Sequence, residues 1–354
     1  MHDDQDRKPG FRISRRGALA GAAGLALPAV LSARARAAGK RVVIGTWGGD
    51  YARLLHENIE VPLVIPQGIK VIQDVGDEPP RMAKVIAQRM LPHGSMDIAC
   101  AEAPYAWRMH NMGLLETLDE KKIPNLAHVD PNMRSDFLVP HIWSPQILIY
   151  NPKTVSAPPL TFGDLLAPRF KGKVGFPNGN NLYVMMAASL FASGNVDDLA
   201  KAKALLIKLN GNGLRLYPET DTVGTAFKSG ELQAGVMWFA RVVMWQNAGI
   251  PVQASFPKEG SVIYISGFVV PKNAPDKEAA YAYLNAALDP RAQEGFAKHM
   301  GYLPTVTNAK LTGKVAQQLA LPNPKPKLIP PDYAFDAKIT AGFNDWWQQT
   351  IQKA

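Results

Sequence analysis

From residue 41 onward, apolar strand-like runs alternate with helical stretches, and this alternation occurs twice along the chain. The first series has predicted strands at 41–47, 68–72 and 97–101 and predicted helices at 51–60, 79–90 and 105–112. Strands and helices that alternate in this order indicate a parallel sheet with helices on both faces. The first third of the chain therefore predicts an α/β unit.

The second series begins near residue 145. Its predicted strands lie at 145–150, 172–176, 214–217, 233–238 and 261–271, and its predicted helices at 161–166, 183–192, 197–210, 222–228, 239–247 and 276–287. No Pro/Gly/Ser-rich linker separates the two series, so we expect two lobes joined by strand-like crossings. The Pro-rich stretch 322–331 predicts an extended segment, and residues 343–351 a terminal helix whose Trp346 and Trp347 serve in packing.

The first 37 residues have the pattern of an export signal. A polar start ends in Arg15-Arg16, an uncharged apolar run follows at 17–31, and two small-residue cleavage sites lie at 33–37. These are the three parts of a secretory signal peptide. The arginine pair resembles a twin-arginine signal, although Ala18 stands where that pattern prefers Phe. We expect cleavage near Ala37 and a periplasmic location, by either the folded or the unfolded export route; the alternative is a membrane anchor or a tail.

The remaining charge does not favour nucleic-acid binding. Without residues 1–37 the chain has 32 basic and 27 acidic residues and a net charge of +5, and no basic run is longer than a pair such as Lys121-Lys122. Nucleic-acid binding needs basic side chains concentrated on one surface. We therefore expect a small-molecule ligand rather than a nucleic acid.

Motifs of enzymes are absent from the sequence. The histidines are scattered without an H-E-x-x-H pair, and there is no G-x-S-x-G elbow and no phosphate-binding G-x-x-x-x-G-K-[ST] loop. The single cysteine, Cys100, lies in a predicted buried strand and is interpreted as a core residue. We predict no catalytic residue, no metal site and no cofactor, and favour binding over turnover.

Candidate ligand-binding residues follow the predicted strands, because ligands of open parallel sheets lie beyond the carboxyl ends of the strands. The glycines after Trp47 allow close approach of a ligand to the backbone. In both series aromatic and small polar residues occupy equivalent ends. The candidates at these ends are Trp47, Gly48, Gly49, Asp50, Glu102, Tyr105, Asn178, Asn180, Trp238 and Arg241.

An ordered set of motifs resembles the bacterial solute-binding proteins of the polyamine-binding type, which serve ABC transporters. The set comprises G-T-W-G-G-D-Y (45–51), M-D-I (96–98), M-G-L-L-E-T-L-D (112–119), P-H-I-W (140–143), F-K-G-K-V (170–174), K-S-G-E-L-Q-A-G-V-M-W (228–238), F-P-K-E-G (256–260) and G-Y-L-P-T (301–305). No single motif is specific, but together they span nearly the whole chain after the signal in the expected order.

The resemblance implies a two-lobed periplasmic binding protein fold of type II, an α/β fold in which each lobe is a mostly parallel sheet flanked by helices. Lobe 1 would comprise 38–145 and 266–310, and lobe 2 would comprise 146–265 and 311–354, with the ligand cleft between them. Carried over by position, the cleft residues are Trp47, Gly48, Glu102, Tyr105, Asn178, Trp238, Tyr264 and Ser266. The implied function is solute capture by hinge closure for the permease of an ABC importer in the inner membrane, and we expect a monomer.

The ligand itself stays open at this point. Polyamine binders place carboxylates in the cleft, whereas the matching positions here include Asn178 and Ser266. Arg241 suits a carboxylate or phosphate, because a guanidinium binds these groups in a fork, while Glu102 and Asp50 suit an amine. An amino-acid-like zwitterion, a small amine or a carboxylate therefore fits this set. An exported enzyme on the same scaffold and a ligand-binding partner of a membrane sensor are the alternative functions.

Overall fold

The fold was analysed in a computed structural model that describes residues 40–353. The predicted signal peptide at 1–37 lies outside the described residues. No helix among these residues has both the length and the apolar character needed to cross a membrane.

The first parallel sheet forms as the alternation predicts. Strand β1 (Arg41–Thr46) pairs in parallel with β2 (Lys70–Val75) on one side and with β3 (Ile98–Glu102) on the other. The helices of this part are α1 (Gly49–Leu55), α2 (Glu78–Ala87) and α3 (Ala103–Asn111), and α1 continues as a wider helical stretch over His56–Val64. Because β1 and β3 run parallel and adjacent, the residues that follow them meet at one edge of the sheet.

The second parallel sheet is centred on β5 (Val174–Pro177). It pairs with β6 (Arg215–Tyr217) and β7 (Ala234–Trp238). The helices are α4 (Asn181–Ser193), α5 (Leu199–Gly211), α6 (Thr220–Ser229) and α7 (Phe239–Asn247). The predicted helix at 161–166 is a short tight turn of helix, Phe162–Leu166.

Two long antiparallel strands connect the parallel parts. They are β4 (Val139–Tyr150) and β9 (Ser261–Val269), which pair with each other along much of their length. β9 also pairs with β3 and β4 also pairs with β7, giving the strand order β2-β1-β3-β9-β4-β7-β5-β6. The predicted strand at 145–150 is thus only the second half of β4, because P-H-I-W at 140–143 is strand as well. A short strand β8 (Gln253–Ser255) also lies against β4.

The C-terminal part departs most from the predictions. After the predicted helix α8 (Lys277–Ala287), helix α9 (Pro290–Met300) follows without having been predicted. The chain continues through β10 (Leu303–Pro304), α10 (Gly313–Gln318) and β11 (Leu328–Ile329), and ends in α11 (Tyr333–Trp347). Helix α11 begins ten residues before its predicted start, because the Asp332 side chain accepts the Phe335 N–H and caps it.

Two groups of buried side chains form the cores. The first surrounds β1 and β3 and includes Phe268, Tyr283 and Phe296, and it extends to α7. The second includes Phe176 and, from the C-terminal helix, Phe343 and Trp347, so the predicted packing function of this helix is confirmed for Trp347. The residues from Arg41 onward pack as one compact unit and are not divided into two lobes. The predicted boundaries between lobe 1 and lobe 2 therefore stay a prediction.

Cys100 is fully buried in β3, as predicted. Burial raises the pKa of its thiol to about 12. A thiol with this pKa stays protonated at neutral pH, and a protonated thiol is a weak nucleophile. The burial of Cys100 therefore agrees with its interpretation as a core residue.

Gly267 lies where the two crossing strands come closest. A Cβ at this position would overlap the carbonyl oxygen of Val139 and stand 2.9 Å from the Cα of Pro140. We expect Gly267→Ala to lower the free energy of unfolding by about 3 kcal/mol, the upper range for overpacking, because backbone rather than a flexible side chain must move. Urea unfolding followed by circular dichroism measures this value.

The matched control is Gly342→Ala in α11, where nothing lies within 4 Å of the added Cβ. This change should stabilise the helix by up to about 1 kcal/mol. Equal stability of the two variants would contradict the close approach of the crossing strands.

Candidate functional site

The ends of β1 and β3, helix α7 and strand β9 enclose a cavity of about 380 Å³, hereafter the main cavity. Seven of the twelve sequence candidates line it: Trp47, Gly48, Asp50, Glu102, Arg241, Tyr264 and Ser266. The residues that sequence reasoning missed are Tyr51, Ile142, Met244, Met300 and Tyr302. Three of these belong to motifs already quoted, at 45–51, 140–143 and 301–305, which is the signal that could have identified them.

The strand register brings the acid candidate Glu102 and the hydroxyl candidate Ser266 together. Glu102, the last residue of β3, lies directly opposite Ser266 of β9, and Ser266 in turn lies opposite Ile142 of β4. Ser266 is fully buried. The main cavity therefore sits on the junction of the crossing strands, and its floor is set by backbone pairing rather than by loops.

Trp47 forms one aromatic wall of the main cavity. The ring of Tyr51 meets it edge-on, with 5.0 Å between ring centroids. The guanidinium carbon of Arg81 lies 4.9 Å from the centroid of the Trp47 ring. The Trp47 ring is thus held by contacts with an aromatic edge and with a cation.

Tyr264 forms the opposite wall, and Trp238 supports it. The Tyr264 ring lies 5.2 Å from the Trp238 ring and 6.1 Å from the Tyr302 ring. Trp238 itself does not line the main cavity and also packs edge-on against Tyr183, at 4.7 Å. The structure therefore places Trp238 behind the wall.

Glu102 is the acid of the main cavity. Burial raises the pKa of its carboxyl, and the Tyr264 hydroxyl, which donates to Glu102 Oε1 at 3.3 Å, opposes that shift. Asp50 lies at the rim, where it pairs with Arg53 at 2.9 Å and both side chains are largely exposed. An exposed ion pair of this kind contributes little to stability.

Arg241 brings a cation into the same cavity. It forms no ion pair with any acid within residues 40–353. Its Nη1 atom lies 3.6 Å from the Met244 sulfur. Its guanidinium counteracts the rise in the pKa of Tyr302 that burial causes. The guanidinium fork is therefore free of protein carboxylates.

Tyr51 links the main cavity to crossing strand β4. Its hydroxyl lies 3.0 Å from Nδ1 of His141, and both residues are buried. Burial lowers the pKa of His141 to about 3, so the imidazole is neutral at physiological pH. The contact is a neutral hydrogen bond that fixes Tyr51 to the strand.

A second cavity of about 300 Å³ shares Glu102 with the main cavity and includes the candidate Tyr105. Asp336 of α11 lines it, is 5% exposed, and has no partner for either carboxyl oxygen within the described chain. Burial, with a contribution from Asp332, raises the pKa of Asp336 to about 7. The Arg108 guanidinium stacks over Tyr105 at 4.3 Å.

The remaining candidates lie outside both cavities. Asn178 Oδ1 accepts the indole N–H of Trp347 at 2.8 Å, and this residue lines a third, open depression of about 630 Å³. Asn180 follows it in the same short turn. Gly49 begins α1 at a φ of +62°, a left-handed conformation that favours glycine. The structure thus brings these three residues to neither the main nor the second cavity, and their ligand-binding function stays a prediction.

A metal centre has no support in the described part of the chain. Residues 40–353 contain no group of three or more His, Cys, Asp or Glu side chains placed to hold a metal ion. The main cavity instead has the composition of a binding site, with the cation Arg241, the acid Glu102, a second acid, Asp50, that is paired with Arg53 at the rim, and aromatic walls.

Comparison with known proteins gives consistent results. Residues 67–323 match the family described as bacterial extracellular solute-binding protein. The spermidine/putrescine-binding periplasmic protein of Escherichia coli is 26% identical over 249 residues, which cover 66% of this chain and 70% of that protein. The gamma-aminobutyric acid-binding protein of Pseudomonas aeruginosa is 24% identical over 285 residues, which cover 77% and 79%.

The fold is shared with solved structures. An ABC transporter structure from Clostridium perfringens superimposes with a TM-score of 0.76 at 22% identity, covering 88% of this chain and 99% of that one. The predicted fold class is therefore confirmed.

The bond between Asn178 and Trp347 allows a test of the function of Asn178. Asn178→Ala leaves the buried Trp347 indole N–H without its acceptor, and we expect a loss of about 1–3 kcal/mol in the free energy of unfolding. Thermal or urea unfolding measures the loss. Asn111→Ala, which removes an exposed Asn bonded to the Trp107 carbonyl, is the control and should stay within about 0.5 kcal/mol of the unsubstituted protein. A stable Asn178→Ala variant with impaired solute binding would instead support the ligand-binding prediction.

Proposed function

The chain belongs to the family of bacterial extracellular solute-binding proteins, and from this premise we propose that it captures a small amino-acid-like zwitterion in the periplasm for an ABC importer. The single observation that carries the proposal is the presence of Arg241 and Glu102 in one cavity. Solute capture is supported by two relatives that are named as binding proteins for spermidine/putrescine and for gamma-aminobutyric acid. The ABC importer and delivery to its permease in the inner membrane are part of the proposal.

The charges of the main cavity suit two opposite ends of one solute. A guanidinium without a protein carboxylate binds the carboxylate of a ligand through two parallel hydrogen bonds. Glu102, in its ionised form, binds an ammonium group, and the neighbouring Tyr264 ring adds cation–π attraction. The alkyl segment between these ends would lie against Trp47 and Tyr302. The cavity volume of about 380 Å³ lies within the usual range for small-molecule sites.

A polyamine fits this cavity less well. Its ammonium groups would have to share Glu102 and the exposed Asp50, which is already paired with Arg53, and Arg241 would repel one of them. The candidates Asn178 and Ser266 supply no compensating carboxylate. Among the solutes for which the relatives are named, gamma-aminobutyric acid has the charge pattern that the cavity favours, and spermidine and putrescine do not.

Hinge closure is the proposed mechanism of capture. The two lobes would meet at β4 and β9, with boundaries at 145/146 and 265/266 as predicted from sequence. By that division, Trp47 and Glu102 come from lobe 1, and Arg241 and Tyr264 come from lobe 2. A solute that bridges the two sets binds the closed form more tightly and shifts the population toward it.

Substitution of Arg241 tests the preference for a carboxylate. We expect the protein to bind 4-aminobutanoate more tightly than 1,4-diaminobutane. The second compound has an aminomethyl group in place of the carboxylate. Arg241→Gln should weaken 4-aminobutanoate binding at least tenfold, about 1.4 kcal/mol, while leaving diaminobutane binding unchanged or tighter. Isothermal titration calorimetry measures both affinities.

The control for this substitution is Arg89→Gln, because Arg89 is exposed and lies outside both cavities. It should leave both affinities unchanged. An equal loss for the two solutes in Arg241→Gln would contradict carboxylate recognition by Arg241.

Small-angle X-ray scattering tests hinge closure. The radius of gyration should fall when 4-aminobutanoate is added at about 100 times its dissociation constant, a concentration that stabilises the bound form by about 2.7 kcal/mol. For Arg241→Gln the concentration at which half of this change occurs should be at least tenfold higher. An unchanged radius in the unsubstituted protein at saturation would argue against closure.

A further inference from the structure

A buried acid, Glu78, and a half-buried acid, Glu102, are linked by a hydrogen bond beside the main cavity. Glu78, in the first turn of α2, is 5% exposed, and its Oε1 accepts the backbone N–H of Glu102 at 2.7 Å. Glu102 then directs its own carboxyl to Tyr264 and lines both cavities. The Glu78 side chain thus supports the position from which Glu102 faces the solute, while Glu78 itself lines neither cavity.

Neither acid forms an ion pair with a Lys or Arg side chain among residues 40–353. The nearest buried cation, Arg81, donates Nε to the Cys100 carbonyl at 3.0 Å and Nη1 to the Gly76 carbonyl at 2.8 Å. Its remaining Nη2 has no partner in the described chain. The charge of Arg81 lowers the pKa of Glu78 without forming an ion pair with it.

Two adjacent carboxylates that are buried without a counter-ion cannot both stay ionised at low energetic cost, and such a pair retains a proton. We propose that Glu78 is a positioning residue that shares one proton with Glu102, so that capture of an ammonium group at Glu102 releases this proton. The inference rests on the proposed function, because it takes the amine end of the solute to bind at Glu102.

The electrostatics support this coupling. Burial and then the charge of Glu102 raise the pKa of Glu78 to about 8, and burial also raises the pKa of Glu102. The opposing influences on Glu78 are the Glu102 N–H, Arg81 and Arg108. At neutral pH the pair accordingly holds one proton between its two carboxyls.

An ammonium group beside Glu102 adds the counter-ion that the pair lacks. The O–H bond of the shared proton then breaks, the electron pair stays on the carboxylate, and the proton passes to solvent. Since the free protein binds more protons than the complex, the affinity for an amine rises with pH, by at most tenfold per unit, and levels off above the pKa of the pair.

The other groups facing the pair do not supply this proton at neutral pH, with one exception. The pKa values of Tyr183, Tyr264 and Tyr302 are raised by burial above the usual value near 10. Asp336, across the second cavity, has its pKa raised to about 7 and titrates in the same range. The experiment therefore has to separate Glu78 from Asp336.

Calorimetry in two buffers counts the released proton. Titration of 4-aminobutanoate in phosphate and in Tris at the same pH should give different heats, because these buffers take up a proton with different enthalpies. We expect release of up to about one proton between about pH 6 and pH 8. Glu78→Gln, which keeps an acceptor for the Glu102 N–H, should abolish both the buffer dependence of the heat and the pH dependence of the affinity over this range.

The controls are Asp336→Asn and the exposed Glu57→Gln, and both should release the same number of protons as the unsubstituted protein. Loss of proton release in Asp336→Asn, its persistence in Glu78→Gln, or buffer-independent heats in the unsubstituted protein would each overturn the inference. Absence of any heat with both 4-aminobutanoate and 1,4-diaminobutane would contradict the proposed function instead.

A measurement without solute tests the proton shared by Glu78 and Glu102 even if neither solute binds. Carbon-13 NMR of the glutamate carboxyl groups should show Glu78 and Glu102 titrating together, with the protonation of Glu78 extending well above pH 7. In Glu78→Gln the apparent pKa of Glu102 should fall, because its acidic neighbour is gone. Independent titration of the two groups, each at its ordinary value near 4.3, would refute the shared proton.

Discussion

The antiparallel pairing of β4 with β9 is the constraint on which the rest of the structure depends. Each crossing strand has a neighbour from a different parallel sheet, β3 for β9 and β7 for β4. The register therefore sets Glu102 opposite Ser266 before any side-chain contact is considered. Because Gly267 lets the crossing strands approach within backbone contact distance, close backbone pairing builds the floor of the main cavity.

Most of the parallel sheets and the motif positions could be predicted from sequence, because alternation of strands and helices is a local signal. Helix α9 and the first part of helix α11 were not predicted because this local signal is weak there. The start of α9 was marked by Asp289, whose side chain accepts the Arg291 N–H, and by Pro290 in the first turn, but its apolar positions are sparse. The early start of α11 was obscured because Pro-rich composition near 322–331 favoured an extended segment up to that point.

The site was predictable where it follows strand ends and not where distant segments fold back. Trp47 directly follows β1, Glu102 ends β3 and Arg241 lies in the first turn of α7, so topology alone brings them to the main cavity. Asp336 belongs to the C-terminal helix α11, and no periodic pattern in the sequence indicates that it lines a cavity together with Glu102. Asn178 looked equivalent to the other strand-end residues, yet its amide oxygen accepts from Trp347, 169 positions away. Local sequence cannot reveal such a competitor for a polar side chain.

The environment of Trp47 indicates how the two ends of a solute would be distributed. The ring already interacts with the Arg81 guanidinium at 4.9 Å, and a second cation on the same π system would experience the repulsion of the first. Within residues 40–353 no cation lies over the Tyr264 ring, and the Tyr264 hydroxyl donates to Glu102. An ammonium group is therefore better placed between Tyr264 and Glu102 than against Trp47. The Trp47 ring, fixed by Arg81 and Tyr51, then suits the apolar segment, with the carboxylate left to Arg241, which accounts for the aromatic wall and both charges with one solute.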